Sequence, residues 1–262
     1  MSELVSQAGG ALAIPQDVLA KLAEEAKAAA AVERPAISRI SLKSGVMTFG
    51  GQPIAGNKME AVILAASFRN VWYAGRYDPN NIVNPNCFAL SETDEGMAPH
   101  PVVSQPPHAT CQGCPKNEWG SDPNGGRGKA CKQTRRLVLI PGTAIEDQTD
   151  PVKATQTAEM AVLDLPVTSV KNYSGYVNSL AAATKLPPYA AIAQISVVPD
   201  AKTQFKVQFQ PMRAIPSMQL LEAVQARLES AKALALEPYE ETNNADPEEP
   251  APDNAPKKAK KY

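Results

Sequence analysis

The sequence predicts an α+β fold, mainly β with helices, organised as an OB-like Greek-key barrel with flanking helices. Three observations support this. Short strand-like segments recur at even spacing, one amphipathic helix interrupts them in mid-chain, and a long aperiodic stretch (91–135) forms a loop insertion. An α+β sandwich is the alternative. The sequence lacks the regular alternation of strands and helices that is typical of a doubly wound sheet, so we do not expect that fold.

The domain boundaries follow from shifts in composition. We expect an N-terminal helical arm over residues 1–34, the barrel domain over 35–236 with its loop at about 87–135, and a disordered tail over 237–262. Of the 262 residues 44% are hydrophobic, which is enough for a folded core. We expect no signal peptide and no transmembrane segment, because the sequence contains neither pattern. Four cysteines, three of them clustered, do not resemble a secreted disulfide framework, so we expect a reducing cytoplasm.

The first half of the chain changes its hydrophobic period twice. An Ala-, Glu- and Leu-rich segment from Pro15 to Glu33 predicts a helix. From Ile37 to about Phe49 the period is two, which predicts short strands. A run rich in Val, Ile, Leu and aromatic residues predicts a long buried strand over 59–73, and a short strand follows at 87–90.

The second half predicts strands at 136–140 and 161–165, then a helix capped by Thr168 or Ser169 and ending near Thr184. Segments 190–198 and 203–212 predict a hairpin, and 216–236 predicts a terminal amphipathic helix. Between Glu237 and Asp253 there are seven acidic residues and no Lys or Arg, and four lysines follow. This composition predicts disorder, with a tail that either competes for a cationic groove or docks onto partner proteins.

Three cysteines of the loop have the spacing of a structural zinc site. Cys111 and Cys114 form a Cys-x2-Cys pair, and Cys131 can close back on them after a Gly-rich excursion. The fourth ligand is Cys87, with His108 and then His100 as alternatives. A metal would also order a loop that has no periodicity of its own. The competing interpretation is that the thiols are free and reduced.

The sequence argues against an enzyme. Zinc-dependent nucleobase deaminases need a His-x-Glu, and no Glu stands two residues after His100 or His108. Gly125-Gly-Arg-Gly-Lys129 lacks the spacing of a phosphate loop, and Ala130 stands where its hydroxyl residue belongs. With only two histidines there is no arrangement for an open catalytic zinc site, so the metal is expected to be structural.

Basic and aromatic residues cluster in two segments, one in the loop and one at the end of the long strand. Single-strand binding uses a positive groove for the backbone and aromatic faces for the bases. The candidate nucleic-acid-binding residues are Arg69, Trp72, Tyr73, Arg76, Lys116, Trp119, Arg127, Lys129, Lys132, Arg135 and Arg136. The competing interpretation is that the charges are a solvated face and that Trp72 belongs to the core.

Three motifs of the loop and the segment after it are Cys111-Gln-Gly-Cys114-Pro-Lys-Asn-Glu-Trp119-Gly-Ser, Gly-Arg-Gly-Lys129-Ala-Cys131, and Leu165-Pro-Val-Thr-Ser-Val-Lys171-Asn-Tyr173. With these motifs the chain resembles a family of tailed-bacteriophage zinc-containing single-stranded-DNA-binding proteins. The resemblance covers about residues 85–175. It implies an OB fold, a metal loop beside the DNA cleft, an acidic tail and a role in replication.

The expected function is therefore sequence-tolerant binding of single-stranded DNA in phage replication or recombination, in the bacterial host cytoplasm. The expected partners are single-stranded DNA, replication or recombination proteins through the acidic tail, and other copies of the chain on DNA, with no membrane. The alternative is a zinc-ribbon protein that binds RNA polymerase and regulates transcription. A phage structural protein that uses zinc only for stability is a further alternative.

Overall fold

The computed structural model describes residues 38–75, 83–123 and 125–238, together with helical positions Val18, Lys21, Leu22 and Glu25. The chain divides into two compact units. We name residues 1–66 with 136–234 the sheet unit, and residues 67–135 with 235–262 the cysteine unit. Most of the predicted N-terminal helix, and the tail beyond residue 238, lie outside the described residues.

Between residues 38 and 238, the described residues form nine strands and four α-helices. The strands are β1 (Ser38–Ser41), β2 (Thr48–Phe49), β3 (Gln52–Pro53), β4 (Lys58–Trp72), β5 (Cys87–Ser91), β6 (Lys132–Pro141), β7 (Ala161–Leu165), β8 (Ala191–Asp200) and β9 (Gln204–Ala214). The helices are α1 (Pro151–Thr157), α2 (Val167–Thr184), α3 (Met218–Gln225) and α4 (Leu228–Ala235). No helix of this part of the chain is both long and apolar enough to cross a bilayer.

The sheet unit is built on one strongly curled, half-barrel sheet of eight strands in the order β3-β2-β1-β7-β6-β4-β8-β9. Its pairs include the antiparallel hairpin β8–β9 and the antiparallel pair β4–β8, in which residues 58–62 oppose 192–196. β1 and β7 are parallel, so the sheet is mixed. The α+β class is confirmed, and the curled sheet is compatible with the expected OB-like barrel.

The core of the sheet unit lies between one sheet face and α2. Alternate residues of the central strands point into it, among them Ile63 of β4 with Leu137 and Leu139 of β6, all at most 2% exposed. Tyr173 and Tyr176 of α2 close the cluster, and both rings contact Phe209 of β9. The side chains pointing to the other face, such as Val138 and Ile140, are equally buried, so β4 and β6 are covered on both faces.

The outer edge of β9 is occupied by side chains of α2. The backbone N–H of Val207 donates to the Ser169 hydroxyl at 2.9 Å, and the Asn172 amide donates to the Val207 carbonyl at 2.8 Å. Thr168 or Ser169 was predicted as the helix cap, and that prediction is wrong. The helix begins at Val167 after Pro166, without a side-chain cap, and Ser169 is fully buried against β9.

One further prediction needs correction, and one helix was missed. The single helix expected over 216–236 is two helices, α3 and α4, separated at Ala226 and Arg227. The Arg227 guanidinium donates to the carbonyls of Thr155 and Ala158 at 2.8 and 2.6 Å, which anchors this break. Those carbonyls lie in and just after α1, a short helix that the sequence reasoning missed although Asp150 caps it.

Candidate functional site

The four cysteines line one small cavity in the cysteine unit. All are free thiols. Cys87 begins β5, Cys111 and Cys114 belong to the loop, and Cys131 immediately precedes β6. The cavity has a volume of about 20 Å³, the space of about one water molecule. This is room for about one small ion.

Backbone hydrogen bonds fix the cysteine loop around this cavity. The Cys111 N–H donates to the Met97 carbonyl at 2.9 Å, and the Cys131 N–H donates to the Lys116 carbonyl at 2.7 Å. Between the first two cysteines Gly113 has φ +74°, a left-handed conformation that favours glycine. The turn after it is closed by Asn117. Its backbone N–H donates to the Cys114 carbonyl, and its side-chain amide donates to the Cys111 carbonyl.

β4 supplies hydrogen bonds to two of the thiols. The side chain of Asn70 bonds Cys111 and the backbone of Val71 bonds Cys131. Asn70 is only 4% exposed, and its amide also lies 3.7 Å from the Met97 sulfur. Sequence reasoning missed Asn70. The period of two would have placed it on the same strand face as Trp72, which lies directly opposite Cys87 in the β4–β5 register.

The thiols act on one another electrostatically. Burial, followed by the charges of Cys111 and Cys114, raises the pKa of Cys87 to about 11. Burial and the charges of the other three thiols raise the pKa of Cys131 to about 12. Burial also raises the pKa of Cys111, although its hydrogen bond with Asn70 opposes the change. Several thiolates are therefore unfavourable here unless a cation neutralises them.

Both Cys87 and His108 line the cavity, so each is a candidate for the fourth ligand. The Nδ1 atom of His108 lies 3.2 Å from the Thr110 N–H and 2.9 Å from the Thr110 carbonyl oxygen of its own loop, which leaves Nε2 available for a metal. His100 is stacked on Phe88, with 5.1 Å between ring centroids. Among the described residues no group of three or more His, Cys, Asp or Glu side chains is placed so that it could hold a metal ion, and this includes the four thiols. The thiols are a candidate donor set because all four line one cavity.

Among the described residues of the cysteine unit, three cations lie over aromatic rings. Lys116 Nζ is 5.0 Å from the centroid of Trp72, and both residues line the thiol cavity. Lys129 Nζ is 5.2 Å from the centroid of Trp119. Arg135 Cζ is 3.5 Å from the centroid of Phe68, an aromatic residue that the sequence reasoning did not select. Basic and aromatic side chains therefore interleave in this unit.

The other predicted contact residues of the cysteine unit differ in their surroundings. Lys132 pairs with Asp122 at 2.6 Å, and Arg69 Nη1 lies 3.4 Å from the Thr134 hydroxyl. Tyr73 is 41% exposed just after β4, and Arg127 is exposed in the Gly-rich turn. Arg76 lies outside the described residues.

Arg136 is not a surface residue, and its selection as a nucleic-acid contact is wrong. Its side chain is 0% exposed, and its Nε donates to Asp164 of β7 at 3.0 Å. Arg39 of β1 lies 3.3 Å from the other oxygen of the same carboxylate. Arg136 is therefore part of an ion pair inside the sheet unit, because adjacent residues on β6 point to opposite faces.

Comparison with known proteins gave no match: no family model, no curated protein and no solved structure is similar to this chain. The case for a function rests on the geometry above and on the resemblance carried by the loop.

Proposed function

We propose that this protein binds single-stranded DNA without strong sequence preference, and that zinc held by four cysteines orders the binding loop. The observation that carries the proposal is the interleaving of three cations with three aromatic rings in the unit that also contains the thiol cavity. Bases stack on aromatic faces whatever their sequence, and Lys and Arg neutralise the phosphates. An OB-like barrel is the architecture we propose for the sheet unit.

The zinc site is the structural part of the proposal. Cys87, Cys111, Cys114 and Cys131 would hold the ion, and Asn70 and Val71 would orient two of the thiolates. Zinc bound by four protein ligands has no open position and supplies stability, not catalysis. We therefore propose a binding protein and not an enzyme.

The biological setting is proposed from the loop resemblance alone. The protein would coat single strands during phage replication or recombination in the bacterial cytoplasm, with several copies on one strand. The acidic tail over 237–262 would recruit replication or recombination proteins.

The test is a titration of the purified, zinc-loaded protein with fluorescein-labelled oligo-dT and with a duplex of equal length, at two salt concentrations. We expect tighter binding to the single strand and a clear loss of affinity at higher salt, because phosphate contacts release counterions. Preference for duplex, or binding that ignores salt, would refute single-strand binding. No binding to either DNA would favour the polymerase-binding alternative.

Zinc is tested on the same preparation. We expect about one zinc per chain, as a closed four-thiol site requires. Cys87→Ser should lose most of the metal, whereas the matched variant His108→Ala should keep it. Retention in Cys87→Ser with loss in His108→Ala would move the fourth ligand to the histidine.

A further inference from the structure

The Gly-rich turn of the cysteine unit contains an open depression next to Trp119. It is lined by Trp119, Gly120, Gly126 and Arg127. Trp119 is 78% exposed, the highest value among the large hydrophobic residues that the structure describes. One exposed apolar residue would need no explanation. Here the indole forms one wall of a depression and a guanidinium residue forms another.

The turn that presents Trp119 is fixed by its own hydrogen bonds. The N–H groups of Gly120 and Asp122 donate to the Gly128 carbonyl at 2.9 and 3.2 Å. The Ser121 hydroxyl accepts the Ala130 N–H at 3.0 Å, and Lys132 closes the turn through its ion pair with Asp122. The backbone that carries the indole is thus ordered by contacts of the turn itself, which lowers the entropic cost of binding.

The walls of the depression leave room for a planar ligand. Gly120 and Gly126 have φ of +86° and +89°, and a Cβ built on either would meet no atom within 4 Å. Lys129 lies over the Trp119 ring and adds positive charge beside it. The site combines an aromatic surface, a nearby ammonium group and a guanidinium, which are the groups that recognise a base and its phosphate.

We propose that this depression binds one unstacked nucleotide of a single strand, with the base against the Trp119 indole and its phosphate at Arg127. This inference rests on the proposed function and assigns one nucleotide to one place on that surface. The contact is to the face of the base and not to its edge, so it is independent of sequence.

The two tryptophans of the chain allow a direct test. In Trp72→Phe the only indole left is Trp119, and in Trp119→Phe it is Trp72. Both variants are titrated with unlabelled oligo-dT while tryptophan emission is followed, and affinity is measured separately by anisotropy of labelled oligo-dT. We expect saturable quenching in Trp72→Phe at the concentrations where anisotropy reports binding. If anisotropy shows that Trp72→Phe binds oligo-dT but its tryptophan emission is not quenched, the inference is overturned.

Affinity variants complete the test. Trp119→Ala should bind oligo-dT about 5- to 150-fold more weakly, the range for one lost stack, and Trp119→Phe should recover most of the loss. Arg127→Ala should reduce the slope of log affinity against log salt by about 0.7, one phosphate contact of a single strand. Arg127→Lys should retain that slope. The control Lys202→Ala removes an exposed charge from the β8–β9 turn of the sheet unit and should change neither quantity.

Two results would contradict the inference in distinguishable ways. If the wild-type protein binds oligo-dT and Trp119→Ala binds it equally well, the depression is not the site although single-strand binding stands. If the wild-type protein does not bind oligo-dT at all, the proposed function fails and this inference fails with it.

Discussion

The centre of the sheet unit is apolar, with leucine, isoleucine and valine side chains from β4, β6, β7 and β8 that are almost completely buried. The cavity of the cysteine unit is instead lined by four thiols, and Asn70 and Thr134 are buried in the same unit. The first kind of interior is stabilised by removing apolar surface from water. The interior of the cysteine unit instead contains four thiols, which a bound cation would hold together. The two units should therefore respond to different perturbations, and the predictions below begin with the largest difference.

Removing one thiol should produce the largest difference in stability between the two units. Structural zinc contributes about 10–16 kcal/mol to the folding of zinc-finger peptides, so Cys114→Ser should release the metal and unfold the loop. Amide hydrogen exchange by mass spectrometry should show lost protection around residues 109–131, with protection of β6, β7 and β8 in the sheet unit retained.

The matched control is Gln112→Ala, an exposed change between two of the cysteines. It should keep both the metal and the protection. If Cys114→Ser retained zinc and full protection, the cysteine unit would not depend on a metal, and the contrast between the units would disappear.

The next largest effect concerns two adjacent arginines. Asp164→Asn removes the carboxylate charge that the fully buried Arg136 shares with Arg39, and it should lower the free energy of unfolding by about 3–5 kcal/mol. Arg135→Ala removes a half-buried cation that lies over Phe68, and should weaken oligo-dT binding with little effect on stability. Urea denaturation and anisotropy on both variants provide the comparison. If Asp164→Asn and Arg135→Ala lowered the free energy of unfolding equally, Arg135 and Arg136 would have similar roles in stability.

A smaller effect is expected at Trp72. Replacing Trp72 by Phe keeps a ring beside Lys116 but weakens the cation–π contact, whose full value is about 0.5–2 kcal/mol. Urea denaturation should show a shift within that range, and zinc content should stay at the wild-type level because Trp72 supplies no ligand atom. A loss of zinc in Trp72→Phe would show that the ring supports the thiol site directly.

The smallest effect is a pH dependence in the β8–β9 turn of the sheet unit. Hydrogen bonds from Lys206 and Thr203 lower the pKa of Asp200 from 3.8 to about 2. Because the pKa of Asp200 is lower in the folded than in the unfolded state, its ionised carboxylate stabilises the fold at pH values above about 4. This contribution disappears as pH falls from about 4 to about 2. The urea midpoints of wild type and Asp200→Asn should differ at neutral pH and converge over that interval. A constant difference down to pH 2 would exclude Asp200 as the titrating group.

Much of the sheet could be predicted from hydrophobic period. The strand at 161–165 agrees with β7, and the run 59–73 is one strand, β4, over Lys58–Trp72. The predictions that were wrong concern features that depend on tertiary contacts. The break between α3 and α4 is anchored by Arg227 on two carbonyls about 70 residues earlier in the chain, and the burial of Ser169 depends on β9.

The candidate site was predictable in composition but not in arrangement. The Cys-x2-Cys spacing selected Cys111 and Cys114, and Cys87 was favoured as the fourth thiol on its chemistry alone. Its place in the cavity comes from the β4–β5 register, which sets Cys87 opposite Trp72. Arg135 and Arg136 were grouped because they are adjacent, yet strand geometry points neighbours to opposite faces, so only one of them was available for a surface.

The side chains on the edge of β9 have a consequence for assembly. A sheet ending in an eleven-residue strand would ordinarily be a template for another chain's strand. Ser169 and Asn172 occupy the N–H and C=O of Val207, and Pro211 further along the strand has no N–H to offer. Adding a strand from another chain at this edge is thereby obstructed, so the longest edge strand of the sheet is protected against fibre-like growth.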